Sequence, residues 1–117
     1  MPNPRLMIVE DEYLIRLLLE DMVAELGCDV SAVASNLTEG KAAAEKVEVD
    51  LAILDVNIDG EQVFPVAEIL KGRNIPFIFI TGYGTRGLPE NYRQTPTLQK
   101  PFQMEDLKAT LTRTLGH

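Results

Sequence analysis

Short apolar runs alternate along the chain with segments of helical periodicity, and this alternation restricts the fold more than any other feature. Each run is shorter than an ordinary helix and is bounded by polar or turn-forming residues, which favours buried strands. Strands that alternate with amphipathic helices predict a parallel sheet covered by helices on both faces. The predicted strands are Leu6–Val9, Asp29–Val33, Leu51–Leu54, Ile75–Ile80 and Thr97–Gln99. We therefore expect a doubly wound α/β fold with five strands.

Four helices follow from apolar residues that recur every three or four positions. They are predicted at Leu14–Leu26, Thr38–Glu48, Val63–Leu70 and Met104–Leu115. The segment 82–93, between the fourth and fifth strands, contains three glycines and a proline, which disfavour a regular helix. We expect the helix at this place to be short or replaced by a loop.

Composition restricts the possible functions. The 117 residues correspond to one domain, residues 1–117. Eighteen acidic against eleven basic residues give a net charge of −7, which disfavours direct binding to nucleic acid. No apolar run is long enough to cross a membrane and no signal segment opens the chain, so with its single cysteine, Cys28, a cytoplasmic location is expected. The only histidine is His117, which excludes histidine-based catalytic triads and internal histidine metal sites.

The stretch Leu51–Gly60 carries the first candidate functional residue, Asp55, directly after a buried strand. Carboxyl ends of strands form the ligand-binding edge of open α/β sheets. Asp55 could cap a turn, bind calcium, act as a phosphatase nucleophile or accept a phosphoryl group. A calcium-binding EF-hand loop needs Glu at its twelfth position, where this chain has Val66. A phosphatase of the haloacid dehalogenase type has a second aspartate, where this chain has Asn57, which cannot shuttle a proton.

Complementary side chains end four of the predicted strands. Glu10 and Asp11 follow the first strand, Asp55 ends the third, Thr81 ends the fourth and Lys100 ends the fifth. Carboxylates gathered at one edge repel each other unless a cation compensates them, and oxygen ligands suit Mg²⁺. A phosphoryl-accepting aspartate with Mg²⁺ (or Mn²⁺), a hydroxyl and an ammonium group fits this combination.

The same residues lie in motifs that resemble the receiver domains of two-component response regulators (CheY-like proteins). The matching motifs are Ile8-Val9-Glu10-Asp11-Glu12, Leu54-Asp55-Val56-Asn57 with Gly60, Ile80-Thr81-Gly82 and Lys100-Pro101-Phe102. The resemblance implies a flavodoxin-like sheet with strand order 2-1-3-4-5, and a cis peptide bond between Lys100 and Pro101. It also implies a signalling module without turnover of a separate substrate.

The resemblance further implies a role for each site residue. Asp55 accepts a phosphoryl group from the phosphohistidine of a histidine kinase or a phosphotransfer protein. Asp11, Asp55 and the backbone carbonyl of Asn57 bind Mg²⁺, and Glu10 acts through water. The phosphoryl oxygens are bound by Thr81 and Lys100. No contact with nucleic acid or insertion into a membrane is expected.

Three features depart from the common receiver pattern. Asp59 stands where the family often has proline, and Thr97 where it often has an aromatic residue. The stretch Pro76–Gly84 resembles a variant group, called FATGUY, whose members tend to be single-domain regulators. We therefore expect Gly82, Tyr83, Gly84 and Thr97 to belong to an altered switch region.

Two alternatives stay open at this point. A degenerate receiver could serve only as a protein docking module, and an aspartyl-nucleophile phosphatase is weakened by Asn57. A single-domain regulator or phosphate shuttle is the preferred interpretation of the whole chain.

Overall fold

Five parallel strands form the central sheet of the computed structural model, which describes residues 3–82 and 87–116. They are β1 (Arg5–Val9), β2 (Asp29–Ala34), β3 (Leu51–Asp55), β6 (Phe77–Thr81) and β7 (Thr97–Gln99). Two further strands, β4 (Asn57–Ile58) and β5 (Glu61–Gln62), form a separate antiparallel pair. The order in the large sheet is β2-β1-β3-β6-β7, which is the expected order 2-1-3-4-5 when the sheet strands are counted alone. The predicted flavodoxin-like fold is confirmed.

Four helices connect and cover the strands: α1 (Tyr13–Glu25), α2 (Leu37–Lys46), α3 (Phe64–Gly72) and α4 (Met104–Leu115). Pro65 lies in the first turn of α3, where its missing N–H costs no helical hydrogen bond. The described part of segment 82–93 contains no α-helix and has a 3₁₀ turn at Glu90–Tyr92, so the predicted shortening of the fourth helix is confirmed there. Within residues 3–82 and 87–116, no helix combines the length and the apolar character needed to cross a membrane.

The sheet separates two apolar clusters because neighbouring residues of a strand point to opposite faces. Met7 and Val9 of β1 face a cluster closed by α2 and α3, whereas Leu6 and Ile8 face one closed by α1 and α4. Cys28 lies in the second cluster and is only 7% exposed. Cys28 therefore packs as a small residue of the core.

Helix α1 is less buried than its apolar spacing indicates. Leu14 and Leu18 recur at helical spacing, yet they are 78% and 48% exposed, and Tyr13 and Leu17 are exposed beside them. Among the α1 residues, only Leu19 and Val23 are fully buried. The helix therefore presents an apolar outer surface as well as an inner one.

An aromatic cluster attaches the segment before β7 to the α2/α3 side of the sheet. Tyr92, from the 3₁₀ turn, stacks on Phe64 with ring centroids 5.3 Å apart and meets the edge of Phe79 at 5.5 Å. Phe77 lies 6.1 Å from the same ring. Tyr92 and the nearby Leu88 are each 3% exposed, so this part of the segment is anchored by burial rather than by a regular helix.

Candidate functional site

Three carboxylates meet at the carboxyl-terminal edge of the sheet. Strands β1 and β3 are adjacent and parallel, with Val9 opposite Leu54, so the residues that follow them come together. One carboxylate oxygen from each of Glu10, Asp11 and Asp55 lies within 4.8 Å of the others. Glu10 is fully buried and Asp55 is 5% exposed, whereas Asp11 is half-buried. The sequence correctly predicted this convergence.

Lys100 supplies the positive charge at this cluster. Its Nζ lies 2.9 Å from Asp55 Oδ2 and 3.4 Å from Glu10 Oε1. The backbone N–H of Lys100 donates to the carbonyl oxygen of Thr81 at 2.8 Å, which extends the β6–β7 pairing to the site. The peptide bond between Lys100 and Pro101 is cis, as the family resemblance implied.

One ammonium group cannot neutralise three carboxylates, and the pKa values reflect this imbalance. Burial, together with the neighbouring Asp55, raises the pKa of Glu10 to about 8. Burial acts to lower the pKa of Lys100, but its hydrogen bond to Asp55 and the charges of Asp55 and Glu10 hold it above the ordinary value. The two shifts favour the charged form of Lys100 and the protonated form of Glu10 when no metal ion is bound.

Backbone N–H groups also donate to all three carboxylates. The N–H of Glu12 donates to Glu10 Oε2 at 3.1 Å, and that of Asn57 donates to Asp55 Oδ1 at 3.3 Å. The N–H of Asp59 donates to Asp11 Oδ2 at 3.0 Å, across 48 positions of sequence. Each carboxylate is therefore held in place by the main chain.

An open cleft of about 410 Å³ gives access to the cluster. It is lined by Asp11, Glu12, Asp55, Asn57, Gly60, Gly82 and Lys100. A second cavity of about 300 Å³ reaches Asp55 from the side of Thr81, Gln62 and Gly87. Asp55 is therefore accessible to a small group although its side chain is nearly buried.

The remaining predicted residues are placed as follows. Thr81 is 4% exposed at the end of β6, beside the site. Thr97 is half-buried on β7, two residues before its end, and its Oγ1 donates to the carbonyl oxygen of Thr95 at 3.0 Å. Gly82 lines the cleft, whereas Tyr83 and Gly84 lie outside the described residues.

Sequence reasoning missed the β4–β5 hairpin next to the site. Its two-residue turn, Asp59-Gly60, has φ values of +52° and +83°, which both fall in the left-handed region. Two-residue hairpin turns of this kind favour the Asp-Gly dipeptide. That dipeptide was the available signal, but strands of two residues are too short to show alternation.

Comparisons with known proteins agree with this geometry. The family model described as "Response regulator receiver domain" matches residues 6–112. Over 114 residues the chain is 36% identical to the phyllosphere-induced regulator PhyR of Methylorubrum extorquens, covering 94% of this chain and 43% of that regulator. The chain thus spans less than half the length of this curated relative.

Two solved structures are similar over nearly the whole chain. One is the receiver domain of the PhyR response regulator of Erythrobacter litoralis, with 33% identity and a TM-score of 0.86, covering 99% of this chain and 92% of that one. The other is SdrG of Sphingomonas melonis Fr1, with 37% identity and a TM-score of 0.86, covering 100% of this chain and 99% of that one.

Proposed function

Because the chain belongs to the response regulator receiver domain family, the signalling modules of two-component systems, we propose that Asp55 accepts a phosphoryl group from a phosphohistidine. The donor is a histidine kinase or a phosphotransfer protein. The observation that carries the proposal is the contact of 2.9 Å between Lys100 Nζ and Asp55 Oδ2 at an accessible acidic cluster. A carboxylate that only caps a turn has no need of a converging ammonium group and two further carboxylates.

The chemistry of the donor atoms fits Mg²⁺, which receiver domains bind at an acidic site. Oxygen atoms of Glu10, Asp11 and Asp55 are gathered at one place, and hard cations prefer such ligands. We assign direct contacts to Asp11, Asp55 and the Asn57 carbonyl, and a water-mediated contact to Glu10. When bound, Mg²⁺ (or Mn²⁺) supplies positive charge that offsets the negative charge of the incoming phosphoryl group.

The chain's own residues perform the transfer by positioning. A carboxylate oxygen of Asp55 attacks phosphorus, a new O–P bond forms, and the P–N bond to the donor histidine breaks with the electron pair passing to the ring. The N–H of Asn57 holds Asp55 Oδ1 during this step. We assign binding of the phosphoryl oxygens after transfer to Lys100 and Thr81. The contact of Lys100 with Asp55 and the burial of Thr81 at the end of β6 support this assignment.

Helix α1 supports a protein as the phosphoryl donor. It begins directly after Asp11 and Glu12 of the cleft, and its exposed apolar side chains Tyr13, Leu14 and Leu17 continue the surface outward. Exposed apolar patches of this kind mark protein interaction sites. A protein that brings a phosphohistidine to Asp55 would cover this surface, whereas a small phosphodonor would not need it.

The proposed output is a conformational switch. A phosphoryl group on Asp55 adds about one and a half to two negative charges at a site with one ammonium group. Lys100 and Thr81 rearrange to bind the added charge. Thr81 directly precedes Gly82, the first residue of the segment 82–93, so its movement is passed to that segment. This rearrangement is proposed to change how the domain binds its downstream partner.

The deciding experiment is incubation with Mg²⁺ and acetyl phosphate, followed by intact mass spectrometry. We expect one added phosphoryl group on the wild type and none on Asp55→Asn. Asp29→Asn is the matched control, because Asp29 is an exposed aspartate at the start of β2, at the opposite edge of the sheet. Wild-type protein that stays unlabelled would overturn the proposal and leave a docking module as the function.

A further inference from the structure

The β4–β5 hairpin lies beside the acidic cluster and contacts residues from two strand ends. It begins two residues after Asp55, the last residue of β3, and the N–H of Asp59 in its turn donates to the carboxylate of Asp11, which follows β1. Among the three backbone donors described at the cluster, only the N–H of Asp59 comes from a segment remote in sequence from its acceptor, Asp11. The other two donors lie two residues from their acceptors. This bond therefore fixes the position of Asp11 relative to Asp55.

The hairpin that carries the N–H of Asp59 is anchored in the core and on the sheet. Ile58 and Val63 are both fully buried in the α2/α3 cluster. The N–H of Val63 donates to the carbonyl oxygen of Val56 at 2.9 Å, which closes the base of the hairpin. The N–H of Val56 in turn donates to Ile80 in β6 at 2.9 Å. The turn is therefore anchored to the sheet by these hydrogen bonds and by the buried side chains at its base.

The main chain of Asp59 contacts the acidic cluster, but its side chain does not belong to the cluster. Its carboxylate is exposed and is not part of the group of three whose oxygens converge. Its backbone adopts φ +52°, a conformation that Asp tolerates better than most residues and that aims the N–H at Asp11. An aspartate at position 59 therefore allows the turn to form, and the turn directs the backbone N–H of this residue at Asp11.

We propose that the backbone N–H of Asp59 is a positioning group that holds the Asp11 carboxylate ready to bind the metal ion. The inference rests on the proposed function, because Asp11 is a metal ligand only there. A hydrogen bond to a ligating carboxylate fixes its orientation before the ion arrives, and loss of such a partner costs about 10- to 100-fold in metal affinity. The carboxylate of Asp59 itself is dispensable.

The test replaces single atoms of the main chain. A backbone ester at residue 59 exchanges the nitrogen for oxygen and removes the donor, while the side chain and the fold are kept. An ester at Val63 is the matched control, because it removes a hydrogen bond of the same hairpin that does not touch Asp11. Asp59→Asn and Asp59→Gly keep the N–H and suit a positive φ.

The first readout is Mg²⁺ binding by titration calorimetry, without any phosphodonor. We expect about 10-fold weaker binding for the ester at 59 and unchanged binding for the ester at Val63, Asp59→Asn and Asp59→Gly. Labelling by acetyl phosphate then gives a second readout, in which the ester at 59 raises the half-saturating Mg²⁺ concentration. The labelling rate at saturating Mg²⁺ stays near that of the wild type.

Three outcomes would overturn the inference. The first is wild-type affinity in the ester at 59, and the second is an equal loss in the ester at Val63, which would show only general support by the hairpin. The third is an equal loss in Asp59→Asn, which would make the side chain the relevant group. Mg²⁺ binding without any labelling of the wild type would overturn the proposed function instead, while the comparison of the esters would still decide on the positioning group.

Discussion

The positive charge of Lys100 is shared between two carboxylates, since its ammonium group lies 2.9 Å from Asp55 and 3.4 Å from Glu10. The carboxylates need that cation whether or not a phosphoryl group is present. If Asp55 is phosphorylated as proposed, the ammonium group that neutralises the free carboxylate can also neutralise the phosphorylated one, provided that it can follow the new charge. The long, flexible side chain of lysine suits this task better than a rigid one.

Replacement of this lysine tests its role directly. If Lys100 binds the phosphoryl group, Lys100→Met lowers the rate of labelling by acetyl phosphate at saturating Mg²⁺ by about 100-fold, the usual cost of losing one preorganised charge-stabilising group. Lys100→Arg is the matched control and keeps part of the rate because it keeps the charge. A rate for Lys100→Met equal to that of the wild type would remove Lys100 from the transfer step.

Tyr92 gives a prediction of pH-dependent stability. Burial, aided by the nearby carboxylate of Glu68, raises the pKa of Tyr92 to about 12. The unfolded chain ionises nearer to about 10, so it loses this proton first as the pH rises. The stability associated with neutral Tyr92 is therefore complete below about pH 10 and is lost as the pH approaches 12.

The matched variant is Tyr92→Phe, which cannot ionise. Between about pH 9 and 11.5 we expect the wild type to lose about 2 kcal/mol more unfolding free energy than the variant, since each pKa unit corresponds to about 1.4 kcal/mol. Urea denaturation at both pH values measures the difference, and the other titrating groups cancel. Parallel losses in the two proteins would mean that Tyr92 ionises as easily in the folded state as in the unfolded one.

At the residue scale the sequence predicted the side chains of the site but not the main-chain donors. Glu10, Asp11, Asp55 and Lys100 each follow or end a strand, and strand ends can be read from apolar runs. The donation from Asp59 to Asp11 depends on the path of a turn in three dimensions, which no single-residue pattern contains. The raised pKa of Glu10 likewise depends on complete burial.

Among the elements, helix α2 has hydrogen-bonded side chains at both ends. Asn36 caps its first turn, with its side-chain oxygen accepting from the N–H of Glu39 at 2.8 Å. Glu39 reaches back and accepts from both the N–H and the hydroxyl of Ser35. These bonds from Ser35 also lower the pKa of Glu39. At the other end, Arg73 donates to the carbonyl oxygen of Ala44 at 2.7 Å.

Removal of the N-terminal cap tests how much this end contributes. Asn36→Ala leaves the N–H of Glu39 without its acceptor, so we expect about 1 kcal/mol of destabilisation in urea or thermal unfolding. Asn36→Asp restores an acceptor and keeps stability near that of the wild type. Equal stability of Asn36→Ala and the wild type would show that solvent replaces the cap at no cost.

The strands were predicted more accurately than the connections between them. All five sheet strands and four helices lie where the periodicity indicated, with ends shifted by at most two residues. Such shifts are expected because caps and last turns depend on local hydrogen bonds. The burial of α1 was predicted less accurately than its position. Apolar spacing cannot distinguish residues that pack on the sheet from residues such as Leu14 that face outward.

For the molecule as a whole, the sheet divides the chain into two sides with different surfaces. The α1 side presents exposed apolar groups next to the cleft, whereas α2 lies on the opposite face of the sheet. A protein donor and a small phosphodonor should therefore respond differently to changes on α1. This difference can be measured once a cognate kinase or phosphotransfer protein is in hand.

We expect Leu14→Glu to slow phosphoryl transfer from the protein donor at least about fivefold, since loss of an interface side chain that contributes strongly to binding costs more than about 1 kcal/mol. Labelling by acetyl phosphate should be unchanged, because Leu14 is 78% exposed and makes no part of the cleft. Ala42→Glu, an exposed apolar-to-acid change on α2, is the matched control. Equal transfer to Leu14→Glu and wild type would place the docking surface elsewhere.

The position of Cys28 provides a way to observe motion in half of this molecule. It is the only cysteine of the chain, it lies under α1 and α4, and burial raises the pKa of its thiol. Cys28 is 7% exposed and lines a small cavity beside α4, so opening on that side of the sheet should raise its rate of reaction with a thiol reagent above the basal rate. Opening confined to the α2/α3 side would leave the reaction rate unchanged. The chain thus carries a built-in reporter that needs no engineered probe and records only one of its two faces.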